Sequence, residues 1–190
     1  MNKTICIHGS SSFYEIPLIE LFLNHQLKVI WINHFSNFDK SQLQHSNLCY
    51  IDLVSRDSSC ILDLQYKLPK DFLEIEVLIN TECAGTKECR DTWDIGENLI
   101  RTVNVTSAVI PLLKNSKFDP KVININFMNG NHHLDHVISH PLVFTFIDTY
   151  RNGIKKENVA FREFAFDTKD FDVEVINLEK LKGIAELVLH

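Results

Sequence analysis

Short, mostly β-branched apolar runs alternate along the chain with longer segments in which apolar residues recur every three or four positions. The runs "TICIHG" (4–9), "KVIWIN" (28–33), "LCYIDL" (48–53), "EVLIN" (76–80), "KVININF" (121–127) and "VAFREFAF" (159–166) read as strands. Between them, "IPLIELFLNH" (16–25), "DSSCILDLQYKL" (57–68), "IGENLIRTVNVTSAVIPLLKNS" (95–116) and "PLVFTFIDTYRNGIKKE" (141–157) carry helical periodicity. "NLEKLKGIAELVLH" (177–190) closes as an amphipathic helix. Pro17 suits the first turn of the helix over 16–25.

Strands that are apolar throughout, rather than alternating, belong in a parallel sheet covered on both faces. The β-α-β order with right-handed crossovers then gives an α/β, doubly wound, Rossmann-type fold of about six strands. No repeat, linker or low-complexity stretch divides residues 1–190, which read as a single domain.

Composition narrows the function classes. Apolar content of 45% and charged content of 23% are ordinary for a globular chain of 190 residues. A net charge of −6 with no Lys/Arg stripe argues against nucleic acid as a partner. No run is long and apolar enough for a membrane span, and no signal peptide is evident. Five cysteines without a C-x-x-C pair suggest reduced thiols, and with them a cytoplasmic location.

Several segments resemble the short-chain dehydrogenase/reductase family over nearly the whole chain. "HGSSSFYE" (8–15) fits the frame of that family's T-G-x-x-x-G-x-G loop, "VLINTEC" (77–83) is similar to its V-L-V-N-N-A-G segment, and "NVTSAVIPLL" (104–113) resembles part of its long helix. "KVININFMNG" (121–130) is similar to the strand that ends in the catalytic Ser, and "INLEKLKGIAELVLH" (176–190) to the helix after the last crossover. The resemblance implies a nucleotide site in which Gly9, Ser10, Ser11, Asp52 and Asn80 would contact NAD or NADP, if a nucleotide binds.

The departures from the family pattern carry more information. In the loop only Gly9 remains; the second glycine position is Phe13 and the third is Glu15. In such loops the second glycine lets the backbone approach the pyrophosphate and the third allows tight helix packing. A carboxylate near a helix N-terminus would compete for the niche that attracts a phosphate. Two like charges ~4 Å apart near a protein surface repel by roughly 4 kcal/mol. Binding of NAD or NADP is therefore expected to be weak or absent, although Ser10, Ser11 and Ser12 offer hydroxyl donors. "NHFSNF" (33–38) has neither an Asp for a ribose diol nor an Arg for a 2′-phosphate, so it does not choose between the two cofactors.

The family's chemistry uses Asn, Ser, Tyr and Lys. Carried over by spacing, the Ser position is Phe127, the Tyr position His140 and the Lys position Phe144. Neither Phe can donate, accept or titrate. The Asn position is Asn104 by local pattern or Asn98 by spacing to Pro111. His140 titrates near neutrality but lacks the family's Lys. His132, His133, Asp135, His136 and His140 hold metal-ligand chemistry, but between Gly130 and Pro141 they read as a solvated loop, and no metal is expected.

Past the helix over 177–190 the family usually continues with another strand, so the chain reads as truncated at its C-terminus, with a short lid segment at 167–175. These features favour a catalytically degenerate, non-enzymatic protein that acts in binding or assembly. Two alternatives stand beside it: an NAD(P)-dependent oxidoreductase with an atypical site, and a cofactor-independent, non-redox enzyme using His140 as acid/base. Assembly would follow the family's pairing of two helices, here 98–116 and 141–156, in a homodimer or a heterodimer with a related subunit. Segment 141–156 carries two apolar stripes, Leu142–Phe146–Tyr150 and Val143–Ile147–Ile154, where a helix covering a sheet needs one.

Overall fold

The computed structural model describes residues 3–9, 12–33, 43–53, 61, 63–82, 92–128, 141–167 and 178–189. Within these, the side chains of 12–14, 92–99, 126–128, 141–148, 163–167, 178–181 and 189 fall outside the description. The elements in chain order are β1 (Thr4–Gly9), α1 (Ser12–Asn24), β2 (Lys28–Asn33), β3 (Leu48–Asp52), α2 (Leu64–Lys67), a 3-10 turn (Lys70–Phe72) and β4 (Ile75–Glu82). There follow α3 (Thr92–Leu113), β5 (Lys121–Met128), α4 (Pro141–Lys156), β6 (Ala160–Asp167) and α5 (Leu178–Leu189).

The six strands make one sheet in the order β3-β2-β1-β4-β5-β6, every pair parallel. This is the Rossmann-type α/β architecture that the alternating runs predict. Side chains alternate across the sheet, so each strand serves two cores. One face carries Ile5, Ile7, Val29, Trp31, Val77, Ile79, Ile123 and Ile125 and packs against α1 and α5. The other carries Cys6, Ile30, Ile32, Leu78 and Val122 and packs against α3 through Val105, Val109, Leu112 and Leu113. Burial on both faces explains why the strands read as continuous apolar runs.

Boundaries differ from the pattern-based reading where polar residues begin a helix. α1 starts at Ser12, so Phe13 and Glu15 lie in its first turn and Pro17 lies further inside. Three consecutive serines hide that start, because Ser favours caps and turns as readily as a helix. α3 starts at Thr92 and ends at Leu113. Of the helix expected over 57–68, the described part is Leu64–Lys67; residues 54–60 and 62 lie outside the described residues.

Local chemistry sets the helix ends. After α1, Gln26 takes φ 60°, and Leu27 N–H returns to the Phe22 carbonyl. Asn158 takes φ 57° after α4. Both turns use the left-handed conformation that commonly ends a helix. At the end of α5, Lys3 Nζ donates to the Val188 carbonyl at 3.3 Å and Lys121 Nζ to Leu187 at 3.4 Å, placing cations where the helix dipole favours them. Among the described residues no helix is long and apolar enough to cross a membrane.

Candidate functional site

The carboxyl ends of parallel strands are where open α/β sheets bind ligands. Strand register lines up Thr81, Gly9, Asn33 and Asp52 across β4, β1, β2 and β3 at that edge. Asp52 is exposed, whereas Asn33 is fully buried and donates through Nδ2 to the Tyr50 hydroxyl at 3.2 Å. Tyr50 in turn meets Trp31 edge-to-face, 5.1 Å between ring centroids.

Glu15 is folded into this edge. It is 0% exposed. Its Oε2 accepts from the Trp31 indole N–H at 2.6 Å and its Oε1 from the Thr81 hydroxyl at 2.8 Å. The Thr81 oxygen also lies 3.3 Å from the His8 carbonyl, but one hydroxyl has one proton, and the shorter contact to a carboxyl oxygen takes it. Gly9 lies directly against this group: a Cβ there would collide with both Thr81 Oγ1 and Glu15 Oε1. The carboxyl group therefore does not stand in the loop, as its position near a helix N-terminus suggests. It sits beneath Gly9, in the gap between α1 and the sheet. A glycine at that point would leave the gap to the backbone; here a side chain and two donors fill it.

The opposite face holds a second polar group. His8, Asn80 and Asn124 occupy one row across β1, β4 and β5, and all three are buried. Asn80 Nδ2 reaches Asn124 Oδ1 at 2.9 Å and Thr106 Oγ1 at 3.1 Å, with the Tyr150 hydroxyl at 3.5 Å. Its amide nitrogen thus faces three oxygens, which turns its Oδ1 toward His8 Nδ1 at 3.1 Å. An acceptor there requires Nδ1 to carry the proton. Thr106 and Tyr150 close the network at 2.8 Å, tying α3 to α4. Such a network holds its elements at fixed spacing, because leaving any buried member unpaired is costly.

Beside the Thr106–Tyr150 contact, α3 and α4 border a cleft of about 770 Å³. Val103, Ile110, Pro111 and Ile154 give it apolar walls, with Ser107, Thr149 and Gly153 between them. Lys114 and Glu157 pair across its rim at 2.8 Å.

Of the residues expected from sequence, the described ones fall in different parts of the fold. Gly9 and Asp52 lie at the carboxyl edge, while Asn80, fully buried, spends its amide inside the protein. Asn104 is half-buried on α3, two residues from the Thr106 that joins the network. Asn98 lies on α3 with its side chain outside the description, as are the side chains of Phe13, Phe127 and Phe144. Ser10, Ser11, His140 and the histidine-rich stretch 131–139 lie outside the described residues. Of the two stripes on α4, Ile154 is buried in the sheet-side core and Tyr150 is half-buried with its hydroxyl directed inward. Among the described residues no His/Cys/Asp/Glu group could hold a metal. Burial pushes the Cys6 and Cys49 thiols up from their ordinary range, so neither is a ready nucleophile.

Sequence reasoning missed the burial of Glu15 and the row of His8, Asn80 and Asn124. The available signal was polar residues inside otherwise apolar parallel strands.

No family model matches the chain, and no curated protein matches it in sequence. Solved structures do match in fold. WbmH of Bordetella bronchiseptica, in complex with NAD+, superposes with a TM-score of 0.57 at 17% identity, over 87% of this chain and 56% of that one. A short-chain dehydrogenase from Leptospira borgpetersenii with bound NAD+ gives 0.60 at 14% identity, over 88% and 71%. A protein described as a short-chain alcohol dehydrogenase from Burkholderia multivorans gives 0.63 at 13% identity, over 100% and 91%. The fold is that of the short-chain dehydrogenases/reductases. The chain spans about half the length of the two Bordetella proteins, 56% of WbmH and 52% of WbmG.

Proposed function

We propose that the chain is a catalytically degenerate relative of the short-chain dehydrogenases/reductases that works by binding and assembly. The observation that carries this reading is Glu15, buried beneath Gly9 and bonded to Trp31 and Thr81 at the point where a nucleotide-binding loop needs a glycine. The substitutions at the catalytic positions, Phe127, His140 and Phe144, support it from the sequence. NAD+ is bound by the WbmH and Leptospira proteins. For this chain we expect weak affinity or none for NAD(H) and NADP(H). Isothermal titration and thermal shift test the expectation. A ligand present at 100 times its Kd stabilises by about 2.7 kcal/mol. A shift of that size at sub-millimolar nucleotide would overturn the reading, as would NADPH turnover with a panel of ketones.

Assembly runs through segments 98–116 and 141–156, as a homodimer or as a heterodimer with a related subunit. The open cleft between α3 and α4 supports this, since a two-fold contact over both helices would cover it. A stable contact buries on the order of 1,200–2,000 Å² in total. Light scattering at tens of micromolar, with a search for a co-purifying chain, tests it. A monodisperse monomer without a partner would remove the assembly role.

A further inference from the structure

One buried carboxyl group stands apart from both polar groups of the sheet. Strand register pairs Thr4 with Ile75 and Ile5 with Val77, which leaves Glu76 as an extra residue in β4. Such a bulge takes a side chain out of the regular alternation. Before it, Ile75 packs into the core on the α3 face; after it, Val77 packs into the core on the α1 face. Glu76 between them is 6% exposed. Among the described residues no hydrogen bond or ion pair reaches its carboxyl group. A carboxylate in that setting is costly, so burial favours the neutral form.

Charged groups approach it from several elements. Lys3, just before β1, and the N-terminal amine favour its ionisation, while Glu74, just before β4, opposes it. Glu74 in turn faces Lys117, from the turn after α3, at 3.7 Å. Lys121, on β5, lies 3.9 Å from Asp119 and donates to the Leu187 carbonyl at 3.4 Å. Lys3 serves α5 as well, since its ammonium donates to the Val188 carbonyl at 3.3 Å. One cation therefore lies within the field of Glu76 and in contact with the last turn of α5.

We propose that Glu76 and Lys3 form a proton-controlled latch on the end of α5. With Glu76 neutral, Lys3 stays on the Val188 carbonyl. With Glu76 ionised, the buried charge draws the ammonium toward itself, because an ionised acceptor binds a cation more strongly than a carbonyl does. Val188 then loses its donor, and the last turn of α5 loosens while Lys121 still holds Leu187. Burial raises the Glu76 carboxyl above its ordinary value of 4.5. The latch is therefore closed below that raised value and opens as pH climbs through it.

Hydrogen exchange of the α5 amides 185–189, corrected for the intrinsic pH dependence of exchange, tests the latch on the full chain between pH 4.5 and pH 8. The wild type should lose protection there as pH rises, and Glu76→Gln should keep it throughout. Lys3→Met should show low protection at every pH. Glu74→Gln, which removes one cause of the Glu76 rise, should move the transition to lower pH. Carbon-13 NMR of the Glu76 carboxyl reads the other half of the pair: in Lys3→Met its midpoint should climb, because Lys3 opposes the rise. Melting at each pH confirms that the variants fold; if Glu76→Gln does not, the Glu74→Gln shift and the Lys3→Met midpoint decide. Wild-type protection that is flat with pH, a transition that survives in Glu76→Gln, or a Glu76 midpoint indifferent to Lys3 overturns the latch.

Discussion

The two faces of the sheet treat polar groups in opposite ways. On the α1 face a single carboxyl group is driven to full burial beneath Gly9, with Trp31 and Thr81 as donors. The space is filled to the point that a methyl group at Gly9 would not fit. On the α3 face neutral groups share a network, and beside it α3 and α4 border an open cleft where Gly153 has room to spare. The contrast teaches that a carboxyl side chain fills the gap beneath Gly9 while the helical face keeps an open cleft, and it supports our proposal of an assembling rather than a reducing protein.

Substituting the two glycines separates the faces most directly. Gly9→Ala should destabilise by about 3 kcal/mol, the upper end of ordinary overpacking, because Glu15 and Thr81 can yield only by giving up their own bonds. Denaturant titration measures it; a neutral outcome would mean that the α1 face is looser than described. Trp31→Phe, which keeps most of the ring volume but removes the indole N–H, should cost about 2 kcal/mol by leaving a buried carboxyl oxygen short of a donor. On the other face Tyr150→Phe should cost about 1 kcal/mol, through the lost hydroxyl contact to Thr106. Tyr150→Asp would disturb that same network, so it is a poor probe of pairing even though Tyr150 lines the cleft. Gly153→Ala should stabilise the monomer by about 0.5–1 kcal/mol, since it removes a flexible residue from a helix interior and meets no neighbour.

A smaller effect sharpens the comparison between buried carboxyls. Glu76, on β4, is raised from its ordinary value of 4.5 mainly by burial. Lys3 pulls it back, Glu74 adds to the rise, and the N-terminus opposes it. A carboxyl raised on folding holds its proton more tightly in the folded state. Its contribution is therefore favourable at low pH and is lost as pH climbs from the ordinary value through the raised one. Glu76→Gln removes that titration, so its melting temperature relative to wild type should be higher at pH 7 than at pH 4. The reverse trend would show that Lys3, rather than burial, governs the group.

The order of elements was determined by the sequence alone. Apolar β-branched runs such as 28–33 and 121–127 fit burial on both faces of a parallel sheet, and the helical periods between them supply its crossovers. The identity of Gly9, Phe13 and Glu15 was equally legible, and so was their mismatch with a phosphate-cradling loop. The fate of Glu15 was decided by tertiary structure. Its donors come from residues 16 and 66 positions away, and only the register of β1 between β2 and β4 brings Trp31 and Thr81 beside it. Asn80 likewise matches a family position in sequence, but its partners His8, Thr106 and Asn124 lie 72, 26 and 44 residues away. Periodicity reports which face a residue occupies. The sheet order and the helices laid across it decide which polar atoms meet there, because a hydrogen bond acts over about 3 Å of space whatever the distance along the chain.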